Sequence, residues 1–297
     1  MPGLTGAAVR TGVKDSKDLD LALVASGEAM VASGVFTRNR MPAAPVTLCR
    51  ERLARSASAR CVVVNSGNAN AMTGSRGMED ALAMAERAEE KLGAPALVMS
   101  TGIIGVPLPV QRVLDGIDAA AAQMGNGSGA EMARAIMTTD TRPKRCALVR
   151  ESEGGTITVG GMAKGSGMIH PNMATMLCIV ATDAHLDPEA SHEILTRAVD
   201  HSFHEITVDG DTSTNDGVIL LSRPPGERGA GGHDHRCIAS KLADGAGDVH
   251  AAAAGVVRFI VRAGLAGRTN VVRLARNIDG RVERQRDDGH GNQEPGW

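Results

Sequence analysis

The chain has 297 residues, 42% of them hydrophobic, but with three Phe, one Trp and no Tyr its core must be built from aliphatic side chains. That length allows one large or two ordinary domains, and burial of about three quarters of the unfolded surface. Lys plus Arg number 32 against 34 Asp plus Glu, a formal net charge of −2, so there is no electrostatic footprint for nucleic acid or for an anionic membrane.

The opening stretch MPGLTGAAVRTGVKDSKDLDLALVAS carries charges in every candidate apolar window. It reads as neither a signal peptide nor a transmembrane helix, and a cytoplasmic protein is expected. CVVVNSG at 61–67 is a continuous apolar run ending in turn residues, the pattern of a buried strand. GMEDALAMAERAEEKL at 77–92 spaces its apolar residues three and four apart and predicts an amphipathic helix. PALVMSTGIIG then reads as a strand entering a glycine-flanked turn, followed by helices over 110–124 and 131–137. CALVRES, GTITVGGMA and TMLCIVATDA read as strands, PEASHEILTRAVDHSF as a helix, and ITVDGDTSTNDGVILLS as a return to strands. Strands and helices interleave, so the class is α/β or α+β with layered packing.

The texture changes at Arg223, where RPPGERGAGGHDH has the Pro, Gly and charge content of an exposed loop. HAAAAGVVRFIVRAG predicts one more helix and GRTNVVRLA a short strand, while the last ~15 residues are too polar for a packed core and read as disordered. The boundaries are therefore a main domain at 1–222 and a C-terminal region at 223–297. Five cysteines, Cys49, Cys61, Cys146, Cys178 and Cys237, stand singly with no CxxC pair, which fits reduced thiols serving mostly as small core residues.

Several segments could carry chemistry. In GMIHPNMATMLCIVATD an irregular run turns at Thr175 into a strand-like one. A threonine hydroxyl is a weak nucleophile without a neighbouring base, and one solution uses its own α-amine once the preceding peptide bond is cut. On spacing alone a threonine at a strand edge is ordinary. GGMAKGSGM places Lys164 among glycines, able to offer a cation to a carboxylate or phosphate, though the phosphate-loop spacing is missing and a solvated turn lysine is the plainer reading. In STGIIG, Thr101 and Gly102 could supply a hydroxyl and an N–H to an oxyanion, against the ordinary alternative of a strand-ending turn. TTDTRPK, containing Thr138, and DGDTSTND read as hydrogen-bonded turns, the second having a superficial look of a hard-cation loop without its closing Glu. NSGNANAMTG suits positive φ and side-chain-to-backbone bonds. The nine His show no zinc-ligand spacing, so no metal is expected.

Taken in order, NSGNANAMTG, STGIIG, AIMTTDTRPK, GGMAKGSGMIHPNMATMLCIVATDA and SFHEITVDGDTSTND resemble the ornithine acetyltransferase family, the glutamate N-acetyltransferases of arginine biosynthesis. The resemblance spans roughly residues 11–216. It implies an α+β fold, a layered α-β-β-α sandwich with a truncated C-terminal part. It also implies self-cleavage between Ala174 and Thr175, giving an α chain 1–174 and a β chain 175–297, with the freed amine of Thr175 as base for its own hydroxyl. Thr175 would then carry the acetyl group from N2-acetylornithine to glutamate by ping-pong chemistry. Thr101 and Gly102 match the oxyanion-hole pair, and Thr138 and Lys164 match substrate-binding positions. The family implies no cofactor, small-molecule substrates with acetyl-CoA as a further donor in some relatives, and an α2β2 heterotetramer. The C-terminal region departs from the family: RAGLAGRTN places Leu265 or Ala266 where a substrate-binding Glu is expected. That departure keeps two alternatives open, an amidase or aminopeptidase with the same nucleophile, and a non-catalytic paralogue.

Overall fold

The computed structural model describes residues 3–93, 95–152, 155–170 and 176–225. The proposed scissile pair Ala174 and Thr175, and nearly all of the C-terminal region with its expected helix, strand and tail, lie outside the described residues.

In chain order the elements are β1 (Leu4–Val9), β2 (Leu21–Phe36), α1 (Ala44–Arg55), β3 (Ser58–Asn68), α2 (Gly74–Leu92), β4 (Ala96–Ile103), α3 (Val110–Ala122), α4 (Gly129–Ala135), β5 (Lys144–Ser152), β6 (Gly155–Lys164), β7 (Leu177–His185), α5 (Pro188–Asp200) and β8 (Gly217–Arg223). The strands connect in the order β4-β3-β2-β8-β7-β6-β5, with β1 also on β2. β2 links the two halves. Its first part, from Leu21 to Ala25, pairs with β1 and β3, and its last part, from Val31 to Phe36, pairs with β8. A register shift falls between Ala25 and Met30, where an irregular stretch lets one strand turn from one layer into the other.

Side-chain alternation then assigns the layers. In β7, Leu177, Ile179 and Ala181 enter the core shared with β1–β4, while Cys178 and Val180 enter a second core with Leu195 and Val199 of α5 and with Phe203. In β8, Ile219 and Leu221 face the first core, and Val218 and Leu220 the second. A period of two does this without further instruction. On the other side, α1 and α2 pack on β4, and α3 on β1 and β2. β3 is buried residue after residue from Cys61 to Ser66, as a strand covered on both faces must be. The result is the α-β-β-α layering of an α+β protein. Val24, Met162, Ile179 and Ala181 also line a groove of about 920 Å³ between the layers.

Local chemistry explains the helix ends. α5 begins with Asp187, whose carboxylate accepts the Ala190 amide, with Pro188 in the first turn where its missing N–H costs nothing. α4 has a full capping box between Ser128 and Glu131. α2 stops at Gly93, which sits at φ 69.

Three expectations need correction or addition. Only 217–223 of the segment ITVDGDTSTNDGVILLS is strand. The Val208 amide instead donates to the Ile169 carbonyl at 2.8 Å, and the Asp209 carboxylate accepts the Met168 and Ile169 amides at 2.6 and 2.7 Å. Those bonds take the backbone partners that a ladder would need. β1, β2 and α1 add to the elements predicted from the sequence; the polar SGEA at the centre of β2 divides two apolar runs and masks the strand's continuity. Lys164 is no solvated turn lysine. It ends β6 and is 3% exposed.

Candidate active site

Four of the five residues nominated from the sequence lie in the described structure, and two of them, Thr101 and Thr138, meet at a third, Lys164. Lys164 Nζ donates to Thr101 Oγ1 at 3.0 Å and to Thr138 Oγ1 at 2.7 Å. Thr101 comes from the end of β4, Thr138 from the loop after α4, and Lys164 from the end of β6. None of the three lines the groove between the layers.

Gly102 follows Thr101 in a backbone only glycine tolerates. Its φ is 137, and a Cβ there would lie 2.2 Å from the Gly67 carbonyl carbon. The end of β4 can therefore run closely beside Gly67 and Asn68 of β3. Lys164 leaves Thr101 a useful hydroxyl. The ammonium occupies an acceptor lone pair, so the threonine's own hydrogen is free to donate elsewhere.

Asp140 builds the floor of this arrangement. One of its oxygens accepts the Gly165 amide at 2.8 Å and an N–H of the Lys144 ammonium, and the other accepts the Thr138 amide at 3.3 Å. It thus ties the Thr138 loop to the end of β6. Burial pushes the Asp140 carboxyl up, but the charges of Lys164 and Lys144 and the Gly165 amide outweigh it and leave it below the ordinary carboxylate value. For Lys164 burial wins: its pKa falls to about 8, against the upward pull of Asp140 and Asp216 and with a further downward push from Lys144 and Lys14.

Asp216 also acts on Lys164 through its charge; its Oδ1 accepts the Met176 amide at 2.9 Å, and the Gly217 amide donates to the Met176 carbonyl at 3.0 Å. Leu177 is in register with Lys164 on β6 and with Gly217 on β8. Met176 therefore enters the sheet at the end that carries Lys164 and Asp216. Thr175, the residue before it, lies outside the described residues.

The Asn-rich segment turns out to be scaffolding. Asn65 Nδ2 donates to the Asn68 carbonyl at 2.9 Å, Asn68 Nδ2 to the Val106 carbonyl at 3.1 Å, and Asn70 Nδ2 to the Gly77 carbonyl at 2.7 Å. Asn70 and Met72 both adopt positive φ. From DGDTSTND, Asn215 Nδ2 bridges the Ala69 carbonyl at 2.6 Å and the Ser100 carbonyl at 2.9 Å, holding the residue before Thr101. Asp140, Asp216 and Asn215 lie in TTDTRPK and DGDTSTND, which the sequence marks only as turns. Their signal was an Asp or Asn inside a turn-like segment, which usually serves only the turn. No group of residues able to hold a metal occurs among the described residues. Burial pushes Cys49 and Cys61 up to about 12 and Cys178 higher still, as inert core thiols require. Among the described residues no helix is long and apolar enough to cross a membrane.

The layered fold belongs to a wider class. An L-aminopeptidase D-Ala-esterase/amidase from Ochrobactrum anthropi, described as a variant of the Ntn hydrolase fold, matches 88% of this chain and 83% of its own with a TM-score of 0.52; at 13% identity this shows the fold alone. Within that class the chain belongs to the ArgJ family, whose model matches residues 5–266, about fifty residues beyond the motifs recognised in the sequence. It is 57% identical over 206 residues to the arginine biosynthesis bifunctional protein ArgJ of Symbiobacterium thermophilum, covering 68% of this chain and 51% of that protein. It also resembles the ornithine acetyltransferase of Mycobacterium tuberculosis solved with ornithine, at 39% identity and a TM-score of 0.53, over 59% of this chain and 93% of that one. The chain spans about half the length of the curated relatives it matches.

Proposed function

We propose that this chain is a glutamate N-acetyltransferase that moves an acetyl group from N2-acetylornithine to glutamate through an acetyl ester on Thr175. The observation that carries the reading is the buried Lys164 bridging Thr101 and Thr138. Three separated segments converge there on one cation and two hydroxyls, beside the strand that begins at Leu177.

The mechanism starts with hydrolysis of the Ala174–Thr175 bond, in which one water yields the Ala174 carboxylate and the Thr175 amine. That amine takes the proton of its own hydroxyl as the oxygen adds to the acetyl carbonyl. The Thr101 hydroxyl and the Gly102 N–H donate to the resulting oxyanion. The carbon–nitrogen bond then breaks, the amine returns its proton to the departing ornithine nitrogen, and the glutamate amine attacks the ester in the reverse sense. Lys164 binds the amino-acid carboxylate, with Thr138 beside it. The acetyl donor is a substrate, so the chemistry calls on no cofactor.

Division of the chain has independent support. The solved ornithine acetyltransferase chain is 93% matched by only 59% of this one, so it is shorter, whereas the curated relatives are nearly twice as long as their match. Chains of such unequal length fit a polypeptide cut near its middle. Assembly of the two fragments into an α2β2 heterotetramer and a cytoplasmic setting complete the proposal.

Intact mass tests it. The wild type should give two fragments whose masses sum to the 30.7 kDa chain plus one water, and Thr175→Ala one uncut species. A single wild-type mass rules out the nucleophile. Where cleavage occurs, transfer from N2-acetylornithine to glutamate is the deciding assay, and hydrolysis without transfer would favour an amidase.

A further inference from the structure

Lys14 contacts both of the segments that support the site. Its stem packs on Gly67, where a Cβ would lie 3.0 Å from Lys14 Cγ, and Gly67 is the residue that leaves no room for a Cβ on Gly102. Its ammonium reaches the second segment, donating to the Ala135 carbonyl at 3.4 Å as well as to the Leu19 carbonyl at 3.0 Å. Ala135 is the last residue of α4, and Thr138 follows it in the next loop.

The lysine stands on a rigid base. Asp20 is fully buried, and its carboxylate accepts the amides of Thr11, Gly12, Val13 and Lys14 at 2.6, 3.0, 2.9 and 3.1 Å. The Asp20 carbonyl accepts the Ser66 amide at 2.8 Å, which ties the same loop to β3. The path from Ala135 to Thr138 has little freedom either. The Ile136 amide donates to the Met132 carbonyl at 3.3 Å, the Met137 amide to the Arg134 carbonyl at 3.1 Å, and the Ile136 side chain is buried in the first core. A shift at Ala135 is therefore passed on to Thr138.

An ammonium does here what an apolar side chain could not. A methionine would cover Gly67 equally well, but only a donor can also hold a carbonyl at the end of α4, where a cation is favoured. Burial pushes the Lys14 pKa down, against the upward pull of Asp20, Asp18 and Asp140, so the charge is kept partly out of water and beside the cluster. We propose that Lys14 is a positioning residue of the active site: seated on Gly67, its ammonium holds the end of α4 so that the Thr138 hydroxyl meets Lys164 beside Thr101 and Gly102. The inference rests on the reading of Thr138 and Lys164 as substrate-binding residues.

The test uses Lys14→Met, which keeps the stem and loses the donor. In steady-state kinetics the variant should raise KM for N2-acetylornithine and for glutamate about three- to tenfold, the range of one net hydrogen bond, and leave kcat within about twofold. Unchanged KM values overturn the proposal. In a Thr138→Ala background the same replacement should change KM by less than about twofold, because the residue it acts through is gone, and an equal factor in both backgrounds overturns the proposal. Hydrogen exchange gives a readout free of activity. The amides of 136–140 should exchange at least about threefold faster in Lys14→Met while those of α2 keep the wild-type rate. Equal rates at 136–140, or an acceleration shared with α2, overturn the proposal. A wild type that transfers no acetyl group overturns the acetyltransferase reading instead, and the exchange comparison still decides whether Lys14 holds the Thr138 segment.

Discussion

The Lys164 ammonium reaches the Thr101 hydroxyl at 3.0 Å across 63 positions of sequence, with both side chains buried. Replacing the lysine by methionine keeps much of its volume and removes the cation. On the proposed role, Lys164→Met should raise KM for N2-acetylornithine at least tenfold, because the variant lacks the charge-assisted hydrogen bond assigned to the substrate carboxylate. Steady-state kinetics on the cleaved protein would show it.

The same residue predicts two opposite pH slopes. Its folded pKa of about 8 lies below the unfolded value of 10.5, so the folded state sheds the proton first and stability should rise as pH climbs from about 8 to 10.5. The carboxylate contact proposed for Lys164 needs the ammonium and should weaken over the same range. Thermal melts and ligand titrations at pH 7, 8.5 and 10 would separate the trends, and Lys164→Met should flatten both.

Gly102 and Gly105 make a controlled pair. Both have positive φ, but a Cβ at Gly102 would collide with the Gly67 backbone while one at Gly105 meets nothing within 4 Å. Gly105→Ala should cost only the conformational penalty, ~1 kcal/mol. Gly102→Ala must also push β4 from β3 and should cost ~3 kcal/mol or more. Denaturant unfolding of the two variants decides whether this close approach is as tight as described.

Asp140 joins Lys144, Gly165 and Thr138, and removing its charge should be severe. In the Asp140–Lys144 pair the side chains are 0% and 7% exposed. Asp140→Asn therefore leaves buried cations uncompensated, a loss of ~3–5 kcal/mol. In the wild type the Asp140 pKa lies below its unfolded value of 3.8. Its contribution is present above that value and fades as pH falls through the lower folded one. Wild type and Asp140→Asn should thus converge in stability under acid.

Asn215→Leu tests the scaffold. It strips the Ala69 and Ser100 carbonyls of a buried donor, for an expected ~2–4 kcal/mol. Because Ser100 precedes Thr101, kcat should fall more than KM rises.

Much was legible in one dimension. The 77–92 helix appears as α2 because its apolar spacing matches a 3.6-residue turn, and β7 appears because LCIVA at 177–181 alternates between two cores. Motif order pointed to the family. β2 was hidden, since its continuity depends on partners, β3 on one side and β8 on the other, that lie far along the chain. Asp209 diverted 206–208 from strand by taking distant amides.

By itself the sequence determined periodicity, strand faces, and which segments carry hydroxyls, amines and carboxylates, because those follow from residue type and spacing. Only the tertiary structure decided that Lys164, flanked by glycines, is a buried cation instead of a solvated one, and that Asp216 grips the Met176 amide. The physical reason is that desolvation and pairing of charge belong to surroundings. Thr101, Thr138 and Asp140 come from separate elements, and only their convergence can hold a lysine out of water.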